Sequence, residues 1–223
     1  MKIAHVITRL IVGGAQENTL LTCAGLRLRG HDVTLIAGPE TGPEGSMWPR
    51  AEATCGRCLR VPELRRAVAP IMDWRGAGVL AGIFRAEQFD VVHTHSSKAG
   101  ILARWAARRA RVPCIVHTIH GMSFNRTQSG LVRRFYALLE RRAARWTHGL
   151  ISVADAMTAQ AVAAGIAPRE RFVTIRSGME VDHFAPDVAT RTEVRSRWNV
   201  PEDAVVVGTI ARLFRNKGYE NLL

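Results

Sequence analysis

Four histidines in two closely spaced pairs are the residues of this sequence best suited to chemistry. His93 and His95 fall in Val91-Val92-His93-Thr94-His95-Ser96-Ser97-Lys98, and His117 and His120 in Val116-His117-Thr118-Ile119-His120-Gly121. Each pair closes an apolar, β-branched run and so ends a predicted strand, and strand alternation sends His93 and His95 to one face. Imidazole is the side chain most readily tuned across neutral pH, and in its neutral form it donates a hydrogen bond to a hydroxyl or carbonyl. His95 and His120 lie furthest out along their strands, which makes them the candidates for ligand contact. His93 and His117 read more simply as satisfied core histidines. A metal centre made of the four is disfavoured, because no carboxylate accompanies them.

Two other segments have the chemistry of a phosphate site. Gly13-Gly14 follows the first predicted strand and opens a helix, where small residues let backbone N–H groups approach an anion and the helix terminus adds partial positive charge. The dinucleotide pattern of three spaced glycines with an acid ending the second strand is absent, so an NAD enzyme is disfavoured. Near the other end, Arg212 and Lys217 flank a loop in Arg212-Leu-Phe-Arg-Asn-Lys217-Gly218. A planar guanidinium fork with an ammonium point charge can clamp a diphosphate. Cys55-Gly-Arg-Cys58 is one CxxC with no second pair to complete a zinc site, and reduced thiols are expected of all four cysteines.

Positioning these groups requires an α/β scaffold. Short β-branched runs at 3–8, 33–37, 90–94, 114–118, 150–153 and 172–175 alternate with helical periodicity at 15–29, 74–85, 97–111, 131–145 and 154–164. That alternation predicts a Rossmann-like parallel sheet with helices on both faces. Gly30 and Gly165 stand where helix C-caps belong. The proline- and glycine-rich stretch 38–50 predicts a loop at the ligand edge of the sheet. After Ile175 the periodicity stops. A helix is predicted near 190–198 and a new buried strand at 204–210, so the expected organisation is one domain over 1–185 and the start of a truncated second domain over 186–223.

Charge narrows the function classes. The 223 residues carry 31 Lys and Arg against 19 Asp and Glu, a formal net charge of +12. Much of the excess lies in Arg104, Arg108, Arg109, Arg111, Arg126, Arg133, Arg134, Arg141, Arg142 and Arg145, with Glu140 the sole acid between Ile101 and Leu150. The apolar positions Leu131, Phe135, Leu138 and Leu139 form one helical face and leave most of these arginines on the other, which suits an anionic membrane surface or substrate. Nucleic acid is disfavoured, since 6% aromatics and no recognised binding module leave little to stack on bases. The N-terminal apolar run is too short for a signal peptide and nothing approaches a membrane span, so a cytoplasmic location is expected.

Taken together, Gly13-Gly14, the His93-Thr-His-Ser-Ser-Lys-Ala-Gly100 block, the Val112-Pro-Cys-Ile-Val-His-Thr-Ile-His-Gly121 block, Ile175-Arg-Ser-Gly-Met-Glu-Val-Asp-His-Phe184 and the 212–218 loop resemble the family 4 glycosyltransferases. The resemblance implies a GT-B fold, in which two Rossmann-like domains face each other across a cleft and the N-terminal one holds the acceptor. It implies sugar transfer from a nucleotide-sugar with retention and without a metal ion or other cofactor, to a sugar or lipid-linked acceptor, in envelope, capsule or exopolysaccharide assembly. By the same resemblance Gly13 and Gly14 would lie against donor phosphates and His120 near the transferred sugar. Arg212 and Lys217 would neutralise the diphosphate leaving group. His95, Ser96 and Lys98 would face the acceptor. Peripheral contact with an anionic membrane through helix 131–145 is a further expectation. The family's pair of glutamates eight apart lies beyond residue 223, so the chain alone is expected to be inactive. A nucleotide-sugar 2-epimerase, or a non-catalytic α/β binding module using its basic face, are the alternatives.

Overall fold

The computed structural model describes residues 1–40, 43–124, 128–211 and 218–221. Its contacts divide the chain into two units, 1–179 and 180–223. Seven parallel strands make one sheet in the first unit: β1 (Lys2–Arg9), β2 (Asp32–Gly38), β3 (Arg57–Arg60), β4 (Val91–His95), β5 (Cys114–Ile119), β6 (Gly149–Ser152) and β7 (Phe172–Thr174), ordered β3-β2-β1-β4-β5-β6-β7. The crossover helices are α1 (Gly14–Leu28), α2 (Trp48–Thr54), α3 (Pro70–Glu87), α4 (Ser97–Arg109), α5 (Gly130–Ala144) and α6 (Asp155–Ala163). The order reverses between β1 and β4, which opens a crevice beyond their carboxyl ends, where ligands of such sheets bind.

The sheet is buried on both faces, which is why its central strands are nearly continuous apolar runs. Ala4, Val6, Ile36 and Val92 pack with α3 and α4 on one face. Ile7, Leu35 and Ala37 pack with Leu20, Cys23 and Trp48 of α1 and α2 on the other. Gly30 and Gly165 hold φ of 82° and 66°, the left-handed geometry of the C-caps expected of them.

Three differences from the sequence expectation have clear causes. The stretch 38–50 is not all loop: Pro49 sits in the first turn of α2, where its missing N–H costs nothing. α2 leads into β3, a four-residue edge strand with both terminal arginines exposed. α3 starts four residues earlier than its periodicity suggests, at Pro70, with the Asp73 carboxylate accepting the Ala69 N–H at 3.1 Å. In the second unit, α7 (Val188–Arg197) is capped by Asp187, which accepts the Thr190 N–H at 2.8 Å. The strand expected at 204–210 is absent: Val205 and Ile210 are fully exposed, and no described strand pairs with this run. A β-branched sequence becomes a buried strand only where neighbouring strands take up its backbone groups.

Candidate functional site

β1, β4 and β5 with the residue that follows it bring five histidines together on two faces of the sheet. β1 lies beside β4 with His5 opposite His93, and β4 lies beside β5 with His95 opposite Thr118. His5, His93 and His95 therefore share a face, while Thr94 and His117 occupy the opposite one. His5 Nδ1 is 2.9 Å from His95 Nε2, and His95 Nδ1 is 3.0 Å from His120 Nε2. His93 Nε2 bonds Thr118 Oγ1 at 2.7 Å, and His117 Nδ1 bonds Thr94 Oγ1 at 2.8 Å behind the sheet.

Burial keeps all five rings neutral near pH 7. It pulls His5 and His120 down to about 4, and pushes His93, His95 and His117 well below the usual imidazole range, with neighbouring charge adding to the effect in those three. His93 and His120 are partly buried, the other three fully. His120 lines a cavity of about 10 Å³ with Ser96, His117, Met122 and Ser123, roughly room for one water. His95, expected on the acceptor side, is only 1% exposed and lies beneath His120 outside that cavity.

Ligand atoms of His5, His93 and His95 all lie within 4.8 Å of one another. A divalent ion there would meet three neutral ligands and no carboxylate, and it would compete with the bonds that His5, His93 and His95 already make.

A larger groove of about 620 Å³ opens beside the small cavity, lined by Thr8, Gln16, Ser96, Lys98, Phe135 and Tyr136 among others. Ser96 holds φ 60°, a left-handed value rare for serine, and its Oγ is 2.7 Å from Thr8 Oγ1, which ties β1 to the β4–α4 turn. Lys98 is not an uncommitted cation: its ammonium is 2.5 Å from the Asp73 carboxylate and also bonds the Ala67 carbonyl. Gly13 and Gly14 open α1 at the same edge. A methyl group on Gly14 would meet nothing within 4 Å, so that backbone is open to a ligand. Arg212 and Lys217 lie outside the described residues.

α5 differs from the expectation. Of the apolar face Leu131, Phe135, Leu138 and Leu139, the first three are exposed together with Arg133 and Arg134 and Leu139 is half-buried, while Glu140, Ala143 and Ala144 are buried. Glu140 makes a 2.6 Å ion pair with Arg104, which is fully buried and so does not belong to the basic surface. Arg126 lies outside the described residues.

Residues 13–178 match the family described as the glycosyl transferase 4-like domain. The chain belongs to that family. This glycosyl transferase 4-like chain is 31% identical over 217 residues to the UDP-Gal:α-D-GlcNAc-diphosphoundecaprenol α-1,3-galactosyltransferase of Escherichia coli, covering 97% of itself and 55% of that enzyme. Its fold is similar to sucrose-phosphate synthase of Thermosynechococcus elongatus, with a TM-score of 0.71 at 17% identity over 100% of this chain and 58% of that one. It is also similar to Anabaena HepE, solved with UDP and glucose, with a TM-score of 0.69 at 15% identity over 89% of this chain and 50% of that one. The chain thus spans about half the length of the relatives it matches.

Within this family 4 domain, His5 is the member of the constellation that sequence reasoning missed. A histidine in the middle of the apolar strand Ile3-Ala4-His5-Val6-Ile7 was the available signal, but only the β1–β4 register shows what it faces.

Proposed function

We propose that this chain is the acceptor-side part of a retaining hexosyltransferase that moves a sugar from a uridine diphosphate sugar to a lipid-linked diphosphate saccharide, at the cytoplasmic face of the membrane, in envelope or exopolysaccharide assembly. The observation that carries the reading is the likeness over 97% of the chain to a galactosyltransferase whose named acceptor is GlcNAc-diphosphoundecaprenol. Family membership favours it over an epimerase or a binding module.

The exposed end of α5 supports the lipid half of the proposal. Leu131, Phe135 and Leu138 stand beside Arg133 and Arg134, so one helix end offers apolar contact to acyl or prenyl chains and positive charge to phosphate. Phe135 also lines the groove that holds Ser96, so an acceptor resting on α5 has a path to the histidine cluster. In this reading, Gly13 and Gly14 admit the donor phosphates and His120 contacts the transferred sugar. Arg212 and Lys217 stabilise the leaving diphosphate, and Ser96 contributes to the acceptor groove. No metal ion takes part. No described helix is long and apolar enough to cross a membrane.

The test is transfer from a panel of radiolabelled nucleotide-sugars to GlcNAc-diphospholipid by the protein carrying this chain at its full length, with the product's anomeric configuration read by NMR. Retained-configuration product from a uridine donor is expected. Absence of transfer from every donor would overturn the proposal. Sedimentation with anionic vesicles at low salt tests the membrane part by itself: Leu138→Ser is expected to lower retention several-fold, and equal retention would remove α5 from the account.

A further inference from the structure

A neutral imidazole has one N–H donor and one lone-pair acceptor, so imidazoles bonded in series can be arranged in only two ways. His5, His95 and His120 form such a series through two bonds of 2.9 and 3.0 Å, and every link uses the Nδ1 of one ring and the Nε2 of the next. Either all three protons sit on Nδ1, or all three sit on Nε2. The two arrangements differ at the ends. At the inner end, His5 Nε2 is buried without a hydrogen-bond partner. An orphaned buried N–H is rarer in folded proteins than an acceptor with an unused lone pair, because a donor with nowhere to point loses its full solvation. The inner end therefore selects the Nδ1–H arrangement. At the outer end, the ring of His120 lines the small cavity, and its Nδ1 has no partner among the described residues.

We propose that the His5–His95–His120 chain locks His120 as the Nδ1–H tautomer, so that it presents a fixed hydrogen-bond donor to an oxygen of the bound sugar and cannot serve as a general base through that nitrogen. Its place at the transferred sugar rests on the function proposed above, whereas the tautomer does not. His95 is a positioning residue in this scheme, and His5 sets the direction of the chain from the interior. The ring of His93 stands 4.3 Å from that of His95 between centroids, but its Nε2 is committed to Thr118 and leaves the series undisturbed. The low proton affinity that burial imposes on all of these rings keeps them neutral, which is the condition for a single tautomer. Such a donor accepts hydroxyl and phosphoryl oxygens and rejects ammonium or amide N–H groups, so it favours a hydroxyl over an amine at the contacted position of the sugar.

Long-range ¹H–¹⁵N correlation spectra of the ¹⁵N-histidine-labelled 223-residue chain at neutral pH read the tautomer directly, without substrate. Neutral imidazole in water prefers Nε2–H, so finding His120 as Nδ1–H is a result the solvent alone would not give. Nε2–H, or an averaged mixture, on His120 would overturn the proposal. In His95→Ala the space left beside His120 Nε2 admits water, the lock is removed and His120 is expected to revert toward Nε2–H, while His95→Asn keeps an amide N–H near the former Nδ1 and is expected to hold Nδ1–H. An unchanged tautomer in His95→Ala, with the fold confirmed by circular dichroism, would show that the chain does not set it. In the full-length protein, His95→Ala is expected to lower kcat about tenfold, with partial rescue by His95→Asn. A limb in the kcat profile between about pH 6 and pH 8 that His120→Gln abolishes would show His120 acting as a base, and would overturn the donor role even if transfer itself is confirmed. Failure of transfer with an Nδ1–H spectrum would refute the function and leave the lock intact.

Discussion

Lowering the pH from about 8 to about 5 is expected to cost the N-terminal unit at least about 4 kcal/mol of stability, through its neutral histidines alone. His5 and His120 each fall from an ordinary value of 6.5 to about 4 in the folded chain, both through burial. Between those values the unfolded chain takes up protons that the folded chain refuses. Stability that is fully present above 6.5 is therefore lost as the pH drops through it, and the loss stops growing near 4, where the folded rings protonate too. At about pH 5 the difference is about 2 kcal/mol for each ring. His93, His95 and His117 are displaced in the same direction and add to the loss. Because a domain's whole stability is about 5–15 kcal/mol, the unit is expected to be close to unfolding at the lower pH. Ordinary carboxylates begin to titrate only below this window, which isolates the histidines. Urea midpoints followed by circular dichroism across the range provide the assay, with His5→Leu as the control that removes about 2 kcal/mol of the pH-dependent loss. A midpoint that stays level or rises toward pH 5 would refute the reasoning, because it would mean that the rings are already charged or solvated in the folded chain.

Two further substitutions probe the packing around the site. Gly100→Ala would place a methyl carbon 2.6 Å from His117 Cε1, and the ring is held by Thr94 and has little room to swing away. A loss of about 1–3 kcal/mol and a Tm lower by several degrees are expected, and an unchanged melting curve would contradict the packing. Glu140→Ala strands the fully buried Arg104 guanidinium and is expected to cost about 3–5 kcal/mol by urea denaturation, while the Arg104→Met, Glu140→Leu double variant recovers most of it.

Most of the sheet was legible in the sequence because a parallel strand buried on both faces must be apolar along its length. β1, β2, β4, β5 and β6 coincide with such runs, and the edge strand β7 with a shorter one whose Val173 is exposed. β3 was not legible: Arg57-Cys-Leu-Arg60 is short, lies at the edge and is half exposed, so it needs no apolar run, and the preceding Pro49 signals a turn as readily as a helix start. The run 204–210 erred the other way, because β propensity states only what a residue will do if a neighbouring strand is supplied. His120 stands out in the sequence by its position at a strand end, but the bonds that link it to His95 and His5 depend on lateral register, which no local pattern encodes. The surroundings of the apolar face of α5 are not legible for a related reason. Periodicity shows that Leu131, Phe135 and Leu138 lie together, but it does not show which way the helix turns them.

The seam between β1 and β4 also bears on the order in which the molecule can assemble. His5 and His95 are 90 residues apart in the chain, as distant as any side-chain pair joined at the site. β1 and β2 are neighbours both in sequence and in the sheet, so they can pair as soon as both have been synthesised, leaving His5 on an open edge. Closing a loop of that length is entropically costly, and contacts of high sequence separation form slowly. The histidine chain therefore cannot exist until β4 has been made and has docked, and His120 gains its partner only when β5 follows. During vectorial synthesis the chemistry of this edge is acquired late, after the apolar half-sheet that supports it, and an interrupted chain ending before β4 would carry His5 as a solvated, titratable histidine.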